Sequence, residues 1–151
     1  MILEYQDEDD LTDIMLFLDN LLSEPYSRWT YRYFVSEYPQ YCFIIRNSQS
    51  LLIGCIIGRI DHTLHGEPTG YIGMVATHPD HRGKGYGKQL VEVLLQRFID
   101  DGLCQVCLET EVSNTASIRL YKNLGFVKDM FLPKYYMNGN DAYKMRLVLK
   151  Y

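Results

Sequence analysis

The stretch "HPDHRGKGYGKQL", His78 to Leu90, constrains the fold more than any other part of the chain. It gathers three glycines with Arg82, Lys84 and Lys88. Before it runs "YIGMVATH", Tyr71 to His78, which reads as a strand. After it Gly87, Leu90, Val91, Leu94, Leu95 and Phe98 recur at helical spacing, and the pattern stops at Gly102. Glycines let a backbone approach an anion closely, and a helix N-terminus presents free N–H groups at its positive end. A pyrophosphate suits such a place. The phosphate-loop pattern fails, because "GKGYGKQ" is one residue short between glycines and Gln89 stands where Ser or Thr should be. The dinucleotide fingerprint fails on its G-x-G-x-G spacing and on the lack of a following βαβ unit with its ribose-binding acid. What remains is R-x-x-G-x-G: Arg82, Gly85 and Gly87. A solvated glycine turn is the plainer alternative; the strand before it and the amphipathic helix after it favour the anion site.

The rest of the chain supplies a mixed α/β (α+β) setting. "ILEY" reads as a short strand, and Leu11, Ile14, Met15, Leu18, Leu21 and Leu22 as a helix with Asp7 to Asp10 at its start. Pro25 disfavours helical geometry in Glu24 and ends it. A second helix runs from about Ser27 to Pro39. "YCFIIR" and "LLIGCIIGRI" are strands joined by the turn "NSQS", and "DHTLHGEPTG" is a loop. "CQVCLETEV" is a strand, and "TASIRLYKNLGF" a short helix closed by Gly125. "FVKDMF" and "AYKMRLVLKY" are closing strands. With 151 residues and no linker or repeat, one domain over residues 1–151 is expected.

Net charge is −4, so bulk charge points to no direct DNA binding. "MILEYQDEDD" has no basic or apolar targeting character, and no apolar run is long enough to span a membrane. A cytoplasmic protein is expected. Cys42 and Cys55 sit singly in apolar runs, and Cys104 and Cys107 lack a second ligand pair, so reduced thiols and no metal are expected. The His62/His65 and His78/His81 pairs lie in loops without supporting ligands. On an extended strand Cys107, Glu109 and Glu111 share one face, and two carboxylates inside an apolar strand are expensive without purpose.

The chain resembles the GNAT family of N-acetyltransferases. Arg82, Gly85 and Gly87 after "GMVATHPDHR" are similar to that family's acetyl-CoA motif, and "NTASIRLYKNLGF" to its second hallmark, with Asn114, Ala116, Tyr121 and Gly125–Phe126. "LSEPYS", "YRYF", "LETEV" and "YYMNGNDA" resemble stretches of one branch, the catalytic subunits of NatC N-terminal acetyltransferases. The resemblance implies a splayed mixed seven-stranded sheet flanked by about four helices. Acetyl-CoA would lie between the strands of Met74 to Thr77 and Cys107 to Val112. Its pantetheine arm would pair with the backbone along Met74, Val75, Ala76 and Thr77, and its pyrophosphate would sit on the amides of Arg82, Gly83, Lys84, Gly85, Tyr86 and Gly87. Asn114, Ser117 and Tyr121 complete the implied cofactor set.

The implied reaction is attack of an amine on a thioester, with no covalent enzyme intermediate. Glu109 is then the expected general base, with Glu111 the second choice, and Tyr121 the general acid beside the departing sulfur. Leu22, Glu24, Pro25 and Tyr26 in one loop, Tyr135 and Tyr136 in another, and Glu111 would bind the acceptor. By resemblance the acceptor is a nascent protein N-terminus beginning with Met and then Leu, Ile or Phe. The implied partners are a large scaffold subunit, a small Sm-like subunit and, through that complex, the ribosome. A lysine or small-amine acetyltransferase, or a non-catalytic CoA-binding module, are the alternatives.

Overall fold

Strand alternation, helical spacing and proline stops lay out the elements, and in the computed structural model residues 2–21, 27–62 and 66–149 are described. Among these residues the order is β1 (Ile2–Glu4), α1 (Glu8–Leu21), α2 (Arg28–Glu37), β2 (Cys42–Arg46), β3 (Leu52–Asp61), β4 (Thr69–Thr77), α3 (Tyr86–Asp100), β5 (Gln105–Glu111), α4 (Thr115–Asn123), β6 (Val127–Leu132) and β7 (Ala142–Val148). Two 3-10 turns, Pro39–Tyr41 and Pro79–His81, are additional to the sequence expectation. Each begins on a proline, whose fixed φ suits a helical first position. The strands form a seven-stranded sheet in the order β1-β2-β3-β4-β5-β7-β6. The β4–β5 ladder is parallel, while β1–β2, β2–β3, β5–β7 and β6–β7 are antiparallel, so the sheet is mixed as expected.

The structure gathers into two compact units, Met1–Arg59 with Ile72–Arg97, and Ile60–Tyr71 with Phe98–Tyr151. In the first, Glu8, Asp9 and Asp10 open α1 at its positive end, and Leu11, Ile14 and Leu18 are its buried stripe. The Ser27 hydroxyl accepts from the Thr30 N–H at 3.3 Å and starts α2. Tyr31 and Phe34 of α2 are core side chains, as their helical spacing predicts. A Cβ on Gly73 would lie 2.8 Å from Phe34 Cζ, so this approach of α2 to β4 admits only glycine. Arg46 spans from β2 to α1, its Nη2 2.8 Å from both Asp10 Oδ1 and Asp13 Oδ2. Leu90, Val91 and Leu94 bury the inner face of α3.

In the second unit Val106, Leu108 and Thr110 bury one face of β5. The segment expected as a loop over 61–70 is shorter than its composition suggests. Asp61 still belongs to β3, and Thr69 and Gly70 already belong to β4. Pairing overrides the local turn chemistry there: Gly70 registers with Val106, and Thr69 Oγ1 accepts from Gln105 Nε2 at 3.2 Å. Gly125, at φ 101°, ends α4 as expected, and the Phe126 N–H returns to the Tyr121 carbonyl at 3.0 Å.

Candidate active site

The alternation of β5 leaves Glu109 and Glu111 half-buried on the face opposite Leu108 and Thr110. The parallel register sets Tyr71 of β4 beside Cys107, two residues before Glu109 on that face. The Tyr71 hydroxyl donates to Glu109 Oε1 at 3.1 Å. A second hydroxyl, from Tyr135, donates to the same oxygen at 2.7 Å. Oε2 of Glu109 is buried and, among the described residues, has no hydrogen-bond partner. Lys144 of β7 stands opposite Glu109 in the antiparallel register, and Arg146 opposite Cys107. Arg146 is already engaged by Asp129 Oδ2, at 3.2 Å from Nε and 3.0 Å from Nη2. A carboxylate held at one oxygen and without a partner at the other can accept a proton there.

Glu111 is placed differently. Its Oε1 accepts from Asn140 Nδ2 at 3.0 Å, and its Oε2 from the Ser113 hydroxyl at 3.4 Å. Both of its oxygens are committed to its surroundings. Asn140 belongs to the loop between β6 and β7, which also carries Tyr135 and Tyr136. Their rings meet edge to face at 5.0 Å between centroids. The loop is closed by its own bonds: the Lys134 N–H donates to Asp141 Oδ1 at 2.8 Å, and the Tyr136 N–H to the Asn140 carbonyl at 3.2 Å.

Tyr121 lies on α4, 7% exposed, with its ring against Phe126 at 5.5 Å. Burial, and then the neighbouring Tyr136, push its phenol well above the ordinary 10.0, so it stays protonated. Asn114 caps α4, its Oδ1 accepting from the Ser117 N–H at 3.1 Å.

In the first unit, Met74, Val75, Ala76 and Thr77 end β4, and all four are half-buried although the strand lies mid-sheet. The chain then passes through the 3-10 turn and Arg82 into the glycine loop. Gly83 and Gly85 have φ of 80° and 82°, a region that L side chains rarely enter. A Cβ on either would meet nothing within 4 Å. The Gly85 carbonyl accepts from the Gln89 N–H at 3.0 Å, which starts α3. The first-turn amides of α3, from Tyr86 and Gly87 onward, have no partner within the helix. An open, backbone-only surface at a helix start fits a pyrophosphate, and Arg82, Lys84 and Lys88 are exposed around it.

The structure thus brings Glu109, Glu111, Tyr121, Tyr135 and Tyr136 into one unit, and the Met74 to Gly87 set into the other. Leu22, Glu24, Pro25 and Tyr26 lie outside the described residues. Sequence reading missed Tyr71 and Asn140, whose importance depends on strand register and loop closure. The cysteines stand apart from this chemistry. Burial holds the Cys42 thiol up at about 12 and raises Cys55 and Cys107 as well. Cys104 is exposed.

Residues 8–126 match the acetyltransferase (GNAT) family. The chain belongs to this family. The GNAT chain is 36% identical over 151 residues to N-alpha-acetyltransferase 30 of Saccharomyces cerevisiae, covering 97% of itself and 86% of that relative. It is 39% identical to the Xenopus laevis protein of the same name and 38% to the human one, over 146 residues each. It spans about half of the Xenopus relative (53%) and 40% of the human one. Among solved structures, its fold matches a chain in the crystal structure of the NatC complex bound to Gag peptide and CoA, with a TM-score of 0.94 and 34% identity over 99% of this chain and 98% of that one. Ard1 from Thermoplasma volcanium, at 24% identity and a TM-score of 0.89, shares the GNAT fold over 100% of this chain and 98% of that one.

Proposed function

We propose that this GNAT chain acts as one domain over residues 1–151 and is a peptide α-N-acetyltransferase. It moves acetyl from acetyl-CoA to the α-amine of proteins that begin with Met and a bulky apolar residue such as Leu, Ile or Phe. The observation that carries the reading is Glu109, pinned at Oε1 by two phenols with a bare, buried Oε2. Likeness to the N-alpha-acetyltransferase 30 proteins and to the NatC chain crystallised with a peptide and CoA supports the acceptor and donor. It also supports service as the catalytic subunit of a NatC-like complex; a large scaffold subunit, a small Sm-like subunit, access to the ribosome and a cytoplasmic setting are the finer parts of the proposal. Among the described residues no helix is long and apolar enough to cross a membrane.

The donor supplies an acyl group already activated as a thioester. The glycine loop would hold its anionic end on the amides of Arg82 to Gly87, and the backbone of Val75 and Thr77 would carry its pantetheine arm. Asn114 and Ser117, at the start of α4, remain in the proposed donor set. An α-ammonium has a pKa of about 7.7 to 8.0, so it must lose a proton before it attacks. Glu109 Oε2 takes that proton, the C–N bond forms, the nitrogen releases its second proton to solvent and the C–S bond breaks. Tyr121 faces the departing sulfur as a hydrogen-bond donor. Tyr121, kept protonated by its burial, is the proposed general acid for the departing sulfur, and solvent returns its proton.

An apolar second residue gains on the order of 1.5 to 3 kcal/mol on full burial, whereas a Glu would lose its hydration without a partner. Tyr135 and Tyr136 are the proposed acceptor contacts on the β6–β7 loop; the expected contacts Leu22, Glu24, Pro25 and Tyr26 lie outside the described residues. Steady-state kcat/KM on three peptides tests the reading: one beginning Met-Leu, one beginning Ser-Glu, and one whose only amine is an internal lysine. Met-Leu should lead by at least about tenfold. Equal use of the lysine peptide would assign a lysine acetyltransferase. Tight acetyl-CoA binding without transfer, repeated with candidate partner subunits, would assign a binding module.

A further inference from the structure

We propose that Tyr71 and Tyr135 are positioning residues, which by holding Oε1 of Glu109 make Oε2 the atom that receives the acceptor's proton. The proposal rests on the reading of Glu109 as base and deepens it. A carboxylate offers two equivalent oxygens, and an unrestrained one presents either. Here two hydroxyls converge on one of them, at 3.1 Å and 2.7 Å. The shorter distance is ordinary for a strong O–H···O bond to a charged acceptor. Oε2 is buried with no partner among the described residues, and a buried acceptor without a donor is unfavourable unless something else serves it.

The two donors differ in origin. Tyr71 comes from the parallel ladder, registered with Cys107. Tyr135 comes from the β6–β7 loop, which is itself tied to β5 by Asn140 and Glu111. One hydroxyl is therefore fixed by the sheet, and the other is carried by a loop expected to touch the acceptor. Orientation of the base is shared between scaffold and substrate loop. Glu111, with both oxygens engaged by Asn140 and Ser113, has no comparable bare atom.

Single-turnover transfer from saturating acetyl-CoA to a saturating Met-Leu peptide tests the proposal on the full chain. Tyr71→Phe, Tyr135→Phe and the pair are each measured alone and combined with Glu109→Gln. Each Phe variant should slow transfer about tenfold or more, the scale of a hydrogen bond to a charged group. Acetyl-CoA affinity and far-ultraviolet circular dichroism should be unchanged. In the Glu109→Gln background the same substitutions should cost nothing further, because residues that act through one another are non-additive. Multiplicative losses in that background would make the tyrosines merely structural and overturn the proposal. So would full-rate transfer by the Tyr71→Phe/Tyr135→Phe pair, or a Tyr135→Phe effect confined to acceptor KM. If Glu109→Gln alone keeps the full rate, the base assignment fails as well. If it is slow while the tyrosine pair is not, only the positioning role fails.

Discussion

Asn140 Nδ2 donates to Glu111 Oε1 at 3.0 Å and thereby clips the β6–β7 loop to β5, the strand of Glu109. The clip lies at the last residue of β5, two positions beyond Glu109. Loss of an exposed hydrogen bond of this kind costs about 0.5–1.5 kcal/mol. Asn140→Ala is therefore expected to raise the acceptor KM about two- to tenfold while kcat falls less. Initial-rate kinetics on a Met-Leu peptide check this. A kcat loss with unchanged KM would place Asn140 in the chemistry instead.

Gly85 is expected to tolerate no β-branched residue. Its φ of 82° disfavours any L side chain, and a Cβ there would enter the open space above the loop. A non-glycine residue in this region costs roughly 1–2 kcal/mol. Gly85→Val should weaken acetyl-CoA binding about tenfold or more, read by calorimetry on protein shown to be folded. Unchanged affinity would remove the glycine loop from the donor site.

Thiol chemistry should be dispensable. The thiolate is the reactive form, and burial keeps Cys42, at about 12, and Cys55 and Cys107 protonated near neutral pH. Alkylation at pH 8 should label the exposed Cys104 first and leave transfer intact. Peptide mapping by mass spectrometry and a rate assay on the labelled protein check both halves.

Tyr121 links the site to alkaline stability. Burial raises its folded pKa above the unfolded value near 10.0. Its contribution is full below about pH 10 and is lost as pH rises above it, because the unfolded phenol ionises first. Denaturant midpoints should fall from about pH 10 upward, and Tyr121→Phe should flatten that fall. The same variant should slow transfer about tenfold or more, as a lost hydrogen bond to developing charge would.

Much of this fold was legible because helical and strand periods are local. The spacing of Leu11, Ile14 and Leu18 and the alternation around Leu108 and Thr110 declare their buried faces directly. The shared face of Glu109 and Glu111 follows from the same period of two. Their difference does not: it is set by partners 26 and 29 residues away, Tyr135 and Asn140, which only loop closure brings near. Tyr71 was hidden for a like reason, since its meeting with Glu109, 38 residues on, depends on the β4–β5 register. Gly73 read as one more strand residue until the ring of Phe34 came against it.

The most direct test of the account is the chemical step itself, measured for the parent chain, Glu109→Gln and Glu111→Gln with a Met-Leu peptide and saturating acetyl-CoA. Glu109→Gln should slow single-turnover transfer roughly 10²- to 10⁴-fold, the usual cost of losing a general base, with acetyl-CoA affinity little changed. Glu111→Gln should act mainly on acceptor KM. A large rate loss in Glu111→Gln beside near-normal transfer in Glu109→Gln would contradict the account.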